Sequence, residues 1–197
     1  MPVIAVTGEL CSGKSAVLKF LQKKGAKTFS SDRLVHTYYK DKNSLIYRRI
    51  KQCFPNVFNC KGVLLRSKLA EVVFSDIRYL RKLEEIVHPL IIRDLRKWVF
   101  SNKAHKGIYV AEVPLLFERQ LEKIFDIIIL VYASKSTLIK RIKKKFKISY
   151  REAEQRLGHF IPVDKKRKNV DFVINNNSNL KKLERKVELI WGRLRRG

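Results

Sequence analysis

Gly8-Glu9-Leu10-Cys11-Ser12-Gly13-Lys14-Ser15 fills every fixed position of the pattern GxxxxGK(S/T), the spacing of a loop that wraps phosphate groups. The chemistry follows from the residue types. Gly8 and Gly13 let the backbone curl, so that successive N–H groups around Cys11, Ser12, Gly13, Lys14, Ser15 and Ala16 point at phosphate oxygens. A helix that starts at the same place adds its partial positive charge. Lys14 is placed to neutralise the β- and γ-phosphates of a nucleotide, and Ser15 to ligate magnesium. ATP and Mg2+ are therefore the expected co-substrate and cofactor. Glu9 fits poorly: a carboxylate beside a triphosphate is electrostatically unfavourable, so its side chain is expected to point to solvent.

Other residues have two readings each. Asp32 closely follows the second apolar run, where the C-terminal ends of parallel strands face a ligand crevice. There it could take a proton from an acceptor hydroxyl, or with Ser31 it could cap the next helix. Glu112 ends a later run; it could support magnesium through water or pair with a lysine. His88 precedes Pro89, which is expected to hold its backbone extended; a lone histidine is more often structural than catalytic. Cys11 is a filler of the loop or a reactive thiol, since helix N-termini lower thiol pKa. Lys143-Lys144-Lys145 reads as a solvated helix face, with one member able to assist at a phosphoryl group. Trp98 and Trp191 fall in helical patterns and are expected in the core.

The elements that must position these residues alternate. Val3 to Thr7 is a short β-branched run read as a buried strand, followed by the glycine loop and a helix from Ser15 to Lys24. Further strands are expected at Ala26–Phe29, Ile108–Val113, Phe125–Tyr132 and Phe172–Ile174. Helices are expected from Arg33 to about Ile50, from Leu64 to about Asn102 with a break near Pro89, from Ser134 to Gly158, and from Leu180 to Arg195. The strand runs are continuous rather than alternating, the mark of a parallel sheet covered on both faces. The fold class is α/β.

Composition narrows the setting. Lys and Arg number 44 against 18 Asp and Glu, a formal charge of +26. That favours a polyanionic ligand or reflects lysine-rich solvated faces; the basic residues are spread along the chain. No RNA- or DNA-binding motif is recognisable. Cys11, Cys53 and Cys60 form neither a CxxC nor a disulfide framework. No apolar run approaches the ~18 residues of a membrane span. A cytoplasmic, monomeric protein with no membrane and no nucleic-acid partner is expected.

Several motifs taken together resemble the dephospho-CoA kinase family. VTGELCSGKS resembles its TGGIGSGKS, and SSDRLVH its DAD-containing element, with Asp32 on the second aspartate. KGVLLRSKLAEVVFSD resembles its DG-x-(I/L)-x-R block, placing Arg66, Leu69 and Phe74. LEEIVHPLI and VAEVPLLFE complete the set. The resemblance implies a P-loop NTPase fold: three α/β/α layers around a parallel sheet, a helical substrate-binding region and a lid. Within a single kinase domain the core would be about 1–32, 103–135 and 169–197, the substrate-binding helices about 33–102, and the lid about 136–168. It also implies transfer of the ATP γ-phosphate to the ribose 3′-hydroxyl of dephospho-CoA. Asp32 would be the base, Lys14 and Arg141 would act on the phosphoryl group, and Ser15 and Glu112 would serve the metal. Arg66, His88, Pro114, Leu115 and Glu118 would contact the substrate. The departures are Glu9 for a glycine, Ser30 for the first aspartate, His159 for a glutamine, with Lys165 and Lys166 following, and Asn175-Asn176-Asn177-Ser178 for NxG. The alternatives are another small-molecule kinase acting on a nucleoside monophosphate, and a nucleic-acid-binding P-loop protein.

Overall fold

Strand β1 (Val3–Thr7) is buried at every position. It lies at the centre of a five-stranded sheet of order β2-β3-β1-β4-β5. The others are β2 (Lys27–Ser30), β3 (Tyr109–Glu112), β4 (Ile127–Tyr132) and β5 (Phe172–Asn175), and all pairings are parallel. Parallel neighbours need crossover helices, which cover the sheet faces and account for the continuous apolar runs. The expected α/β fold with a parallel sheet is the one observed. The computed structural model describes residues 2–158 and 160–195, so His159 lies outside the described residues.

The chain divides into two units: Met1–Ser30 with Trp98–Gly197, and Ser31–Lys97. In the first unit, α1 (Lys14–Lys23) and α9 (Leu180–Leu194) pack together on the sheet. Val17, Leu18 and Leu21 of α1 meet Leu183 and Val187 of α9 over Ile4, Val6, Ile129 and Val131. Helices α6 (Lys135–Phe146), α7 (Tyr150–Gly158) and the short α8 (Val163–Arg167) complete it. Leu138, Ile139 and Ile142 of α6 pack on Ala153 and Leu157 of α7, with Leu10 and Cys11 of the glycine loop against them. Trp98 sits half-buried beside Phe29 and Tyr109, with ring centroids 5.4 and 6.0 Å away. Trp191 is likewise half-buried, packed on the α1–α9 core.

The second unit holds α2 (Ser31–Lys40), α3 (Leu45–Cys53), α4 (Arg66–Ser75) and most of α5 (Ile77–Lys103). Its core is built from Ile46, Ile50, Leu69, Val73, Ile86, Val87 and Ile91. Two expectations are corrected here. The helix from Arg33 to Ile50 is two helices, because Asp41-Lys42-Asn43-Ser44 is a polar turn and the Ser44 hydroxyl accepts from Tyr47 N at 3.0 Å, capping α3. The break near Pro89 does not occur: Pro89 lies inside α5 and His88 is helical, not extended. A proline removes one backbone hydrogen bond and disfavours a helical residue before it. The buried run Ile86, Val87 and Ile91 offsets that cost, and exposed Glu85, whose carbonyl loses its partner, can turn to water.

Candidate active site

The glycine loop joins β1 to α1, and its backbone is sharply curled. Gly8, Cys11 and Gly13 have φ of 146°, 59° and 108°. A Cβ on Gly8 would lie 2.0 Å from the Val131 carbonyl oxygen, and one on Gly13 2.2 Å from Asn176 Nδ2. These two positions therefore need glycine for space as well as for φ. Cys11 stands where the family motif has glycine, and it holds left-handed backbone that L-residues adopt at a cost of about 1–2 kcal/mol. Burial pushes its thiol pKa up, against the lowering pull of Lys145, Lys14 and Arg141. Cys11 also packs with Leu138, Ile139 and Ile142 of α6, as a filler of the loop does. We expect Gly13→Ala to destabilise the fold by about 1–3 kcal/mol and to weaken nucleotide binding. Denaturant melts and an ADP titration check both.

The loop's cations and acceptors converge. Lys14 is buried, and its Nζ donates to the carbonyls of Gly8 and Glu9 at 3.0 and 2.9 Å. Arg141, on α6, donates to Asn176 O at 2.9 Å and to Cys11 O at 3.5 Å. Asn176 Nδ2 donates in turn to Ser12 O at 2.7 Å. Asn176 thus braces the loop from the asparagine run directly after the last strand, a contact that the run's departure from NxG does not show by itself. Glu9 departs from expectation. It is half-buried rather than turned to solvent, and burial raises its pKa against the opposing fields of Lys166 and Lys14.

Glu112 is only 2% exposed and faces two hydroxyls. Ser15 Oγ donates to its Oε1 at 2.8 Å and Ser30 Oγ to its Oε2 at 3.1 Å. The sheet register sets this meeting, since Ser30 and Glu112 are directly paired at the ends of β2 and β3. Ser15 and Glu112 supply hard oxygen donors. Magnesium typically takes one or two protein oxygens and completes its shell with phosphates and water, so these residues fit the ion. Among the described residues no group of three or more His, Cys, Asp or Glu could cage a metal alone.

In the turn after β3, Pro114 and Leu115 are half-buried. Glu118 Oε1 accepts from Lys166 Nζ at 2.9 Å and from Ile161 N at 3.0 Å. The Lys166 side chain is fully buried, with Phe117 and Phe160 rings 5.9 Å from its ammonium. Arg167 lies over Tyr132, 4.4 Å from the ring centroid. Removing one partner of a buried ion pair leaves the other charge stranded. Glu118→Ala should therefore lower stability by about 3–5 kcal/mol, a loss that guanidinium unfolding would read directly.

The second unit carries its own pocket of about 230 Å³, lined by Asp32, His36, Tyr39 and Arg66 on an apolar wall that includes Leu69, Val73 and Phe74. Asp32 is exposed, in the first turn of α2, and accepts no hydrogen bond among the described residues. Burial pushes the Tyr39 phenol pKa up to about 12; Arg66 pulls it down and Asp32 pushes it further up. Tyr39 thus keeps its proton in the neutral range, in the fields of both Arg66 and Asp32. Tyr39 and His36 are pocket residues that the sequence reading did not single out. His88, half-buried on α5, is not part of this lining.

The family model of dephospho-CoA kinase matches residues 2–182. The chain belongs to the dephospho-CoA kinase family. The dephospho-CoA kinase of Helicobacter pylori is 33% identical over 187 residues, covering 94% of this chain and 93% of that one. A solved structure from Thermus thermophilus superposes with TM-score 0.73 at 31% identity, over 98% of this chain and 97% of the other. The dephospho-CoA kinase of Campylobacter jejuni shares the fold at TM-score 0.67 and 22% identity, over 99% and 98% of the two chains. As a member of the dephospho-CoA kinase family the chain is an ATP-dependent kinase of coenzyme A biosynthesis that acts on a small molecule. No helix among the described residues is long and apolar enough to cross a membrane.

Proposed function

We propose that the chain transfers the γ-phosphoryl group of ATP to the ribose 3′-hydroxyl of dephospho-CoA, giving coenzyme A and ADP. The observation that carries this reading is the family match across residues 2–182 on a chain whose phosphate loop has Lys14 and Arg141 gathered around it.

The step balances as an in-line displacement. The 3′-oxygen forms a bond to the γ-phosphorus, its proton passes to Asp32, and the bond from the γ-phosphorus to the β,γ-bridging oxygen breaks. Asp32 suits the base role because it is exposed and lies inside the first turn of α2, past the cap position. Lys14 exchanges the carbonyls of Gly8 and Glu9 for phosphate oxygens, so its charge is already in place when the nucleotide arrives. Arg141, held at the loop by Cys11 O and Asn176 O, faces the transferring group. Ser15 and Glu112 would hold magnesium, which when bound would supply charge neutralisation at the phosphates.

Arg66 and the pocket around Asp32 receive the acceptor: the guanidinium suits its phosphates and the apolar wall its carbon skeleton. Pro114 and Leu115 border the strand end that carries Glu112, and His88 is kept as an acceptor contact to be tested by mutation. The lid is the basic segment of about 136–168, whose Lys166 end Glu118 pins down. The setting is a cytoplasmic monomer with its three cysteines free and no nucleic-acid partner.

A substrate panel tests the proposal. ADP release in the presence of dephospho-CoA should exceed that with AMP, CMP or no acceptor by orders of magnitude. Equal release with AMP would place the chain with nucleoside-monophosphate kinases instead.

A further inference from the structure

Glu112 has both carboxylate oxygens engaged by hydroxyl protons, from Ser15 at 2.8 Å and Ser30 at 3.1 Å. A hydroxyl has one proton and two lone pairs. Ser15 can therefore offer a lone pair to a cation while its proton stays on Glu112. Ser30 differs, because its proton draws on the second carboxylate oxygen and so lowers the charge that oxygen can offer a cation. Glu112 thereby offers a cation less charge than a carboxylate without these two donors. The register sharpens the point. Ser30 and Glu112 are directly paired across β2 and β3, so a carboxylate at position 30 would stand within hydrogen-bond reach of the Glu112 carboxylate. Two carboxylates so close repel each other, and a divalent cation between them relieves the repulsion. Metal affinity at oxygen sites rises with the number of charged ligands.

We propose that Ser30 sets the affinity of this site for divalent metal. By supplying a proton where a second carboxylate would fit, it keeps the cation bound through Ser15, nucleotide phosphates and water, and so dependent on the nucleotide. The inference rests on the phosphate-loop reading of Ser15 given above.

The test is Mn2+ binding followed by the electron paramagnetic resonance signal of the free ion, with and without ADP, so that turnover is not involved. Wild type should bind Mn2+ only together with ADP. Ser30→Asp should bind it about tenfold tighter with ADP, one added charged ligand being the cause, and measurably without ADP. Ser30→Ala removes the hydroxyl and with it the hydrogen bond to Glu112 Oε2, so it should also tighten binding, by less. Melting curves show whether each variant is folded. Affinity at or below wild type in Ser30→Asp, or in Ser30→Ala where the aspartate variant does not fold, overturns the proposal. Ser15→Ala separates the two layers. It should weaken Mn2+ binding in the presence of ADP; if it does not, the phosphate-loop reading of Ser15 fails. If it does while the Ser30 variants stay at wild type, only the role of Ser30 falls.

Discussion

Lys14→Ala should abolish nearly all phosphoryl transfer, lowering kcat by at least about 10²–10³-fold, the scale for removing one preorganised donor from a developing charge. Lys14 follows Gly13 at the first turn of α1, and its ammonium rests on the carbonyls of Gly8 and Glu9. The charge is therefore preorganised, and no side-chain search is needed when phosphate arrives. Alanine removes the charge and its bonds to the Gly8 and Glu9 carbonyls, but Val17, Leu18 and Leu21 still hold α1 on the sheet. The melting temperature should fall only slightly. Steady-state ADP release at saturating ATP checks the first claim and calorimetry the second. Near-normal turnover in the mutant would remove the phosphate-loop assignment.

The second large effect concerns Asp32. Asp32→Asn keeps the size and the capping ability of the side chain, since asparagine caps about as well as aspartate, but it cannot accept a proton. As the general base, Asp32 should contribute about 10²–10⁴-fold in kcat, with dephospho-CoA binding changed far less. As a helix cap it would be nearly silent on substitution. Its position within the first turn of α2, exposed and without a hydrogen bond among the described residues, favours the first outcome. A kcat within about threefold of wild type, at unchanged thermal stability, would leave Asp32 a surface residue and reopen the choice of acceptor.

What the sequence made legible was mostly local. The phosphate loop is a contiguous motif whose geometry follows from its glycines and the helix behind it. The strands showed as β-branched runs because both faces of a parallel sheet are buried. The break between α2 and α3 was available in Asp41-Lys42-Asn43-Ser44, a polar cluster with a capping serine. The continuous helix through Pro89 was not legible, because the local rule favours a break and only the packing of Ile86, Val87 and Ile91 outweighs it. The burial of Lys166 was hidden by a chain with 44 basic residues, among which no pattern marks one that leaves water to meet Glu118. The bond between Ser30 and Glu112 depends on register between strands far apart in sequence. Ser30 looked like a departure from a motif, whereas the sheet shows it in contact with a buried carboxylate. The half-burial of Glu9 depends on the fold as well, since the opposing charge of Lys166 comes from a residue far away in the sequence.

The most direct test of the central claim is where the phosphate goes. The enzyme is incubated with ATP, Mg2+ and dephospho-CoA, and the product is analysed by phosphorus NMR and mass spectrometry. The account predicts one new phosphomonoester on the ribose 3′-oxygen, formed in equal amount with ADP and absent in Lys14→Ala. ADP formed without a phosphorylated acceptor, or a phosphate placed anywhere other than the 3′-oxygen, would contradict it.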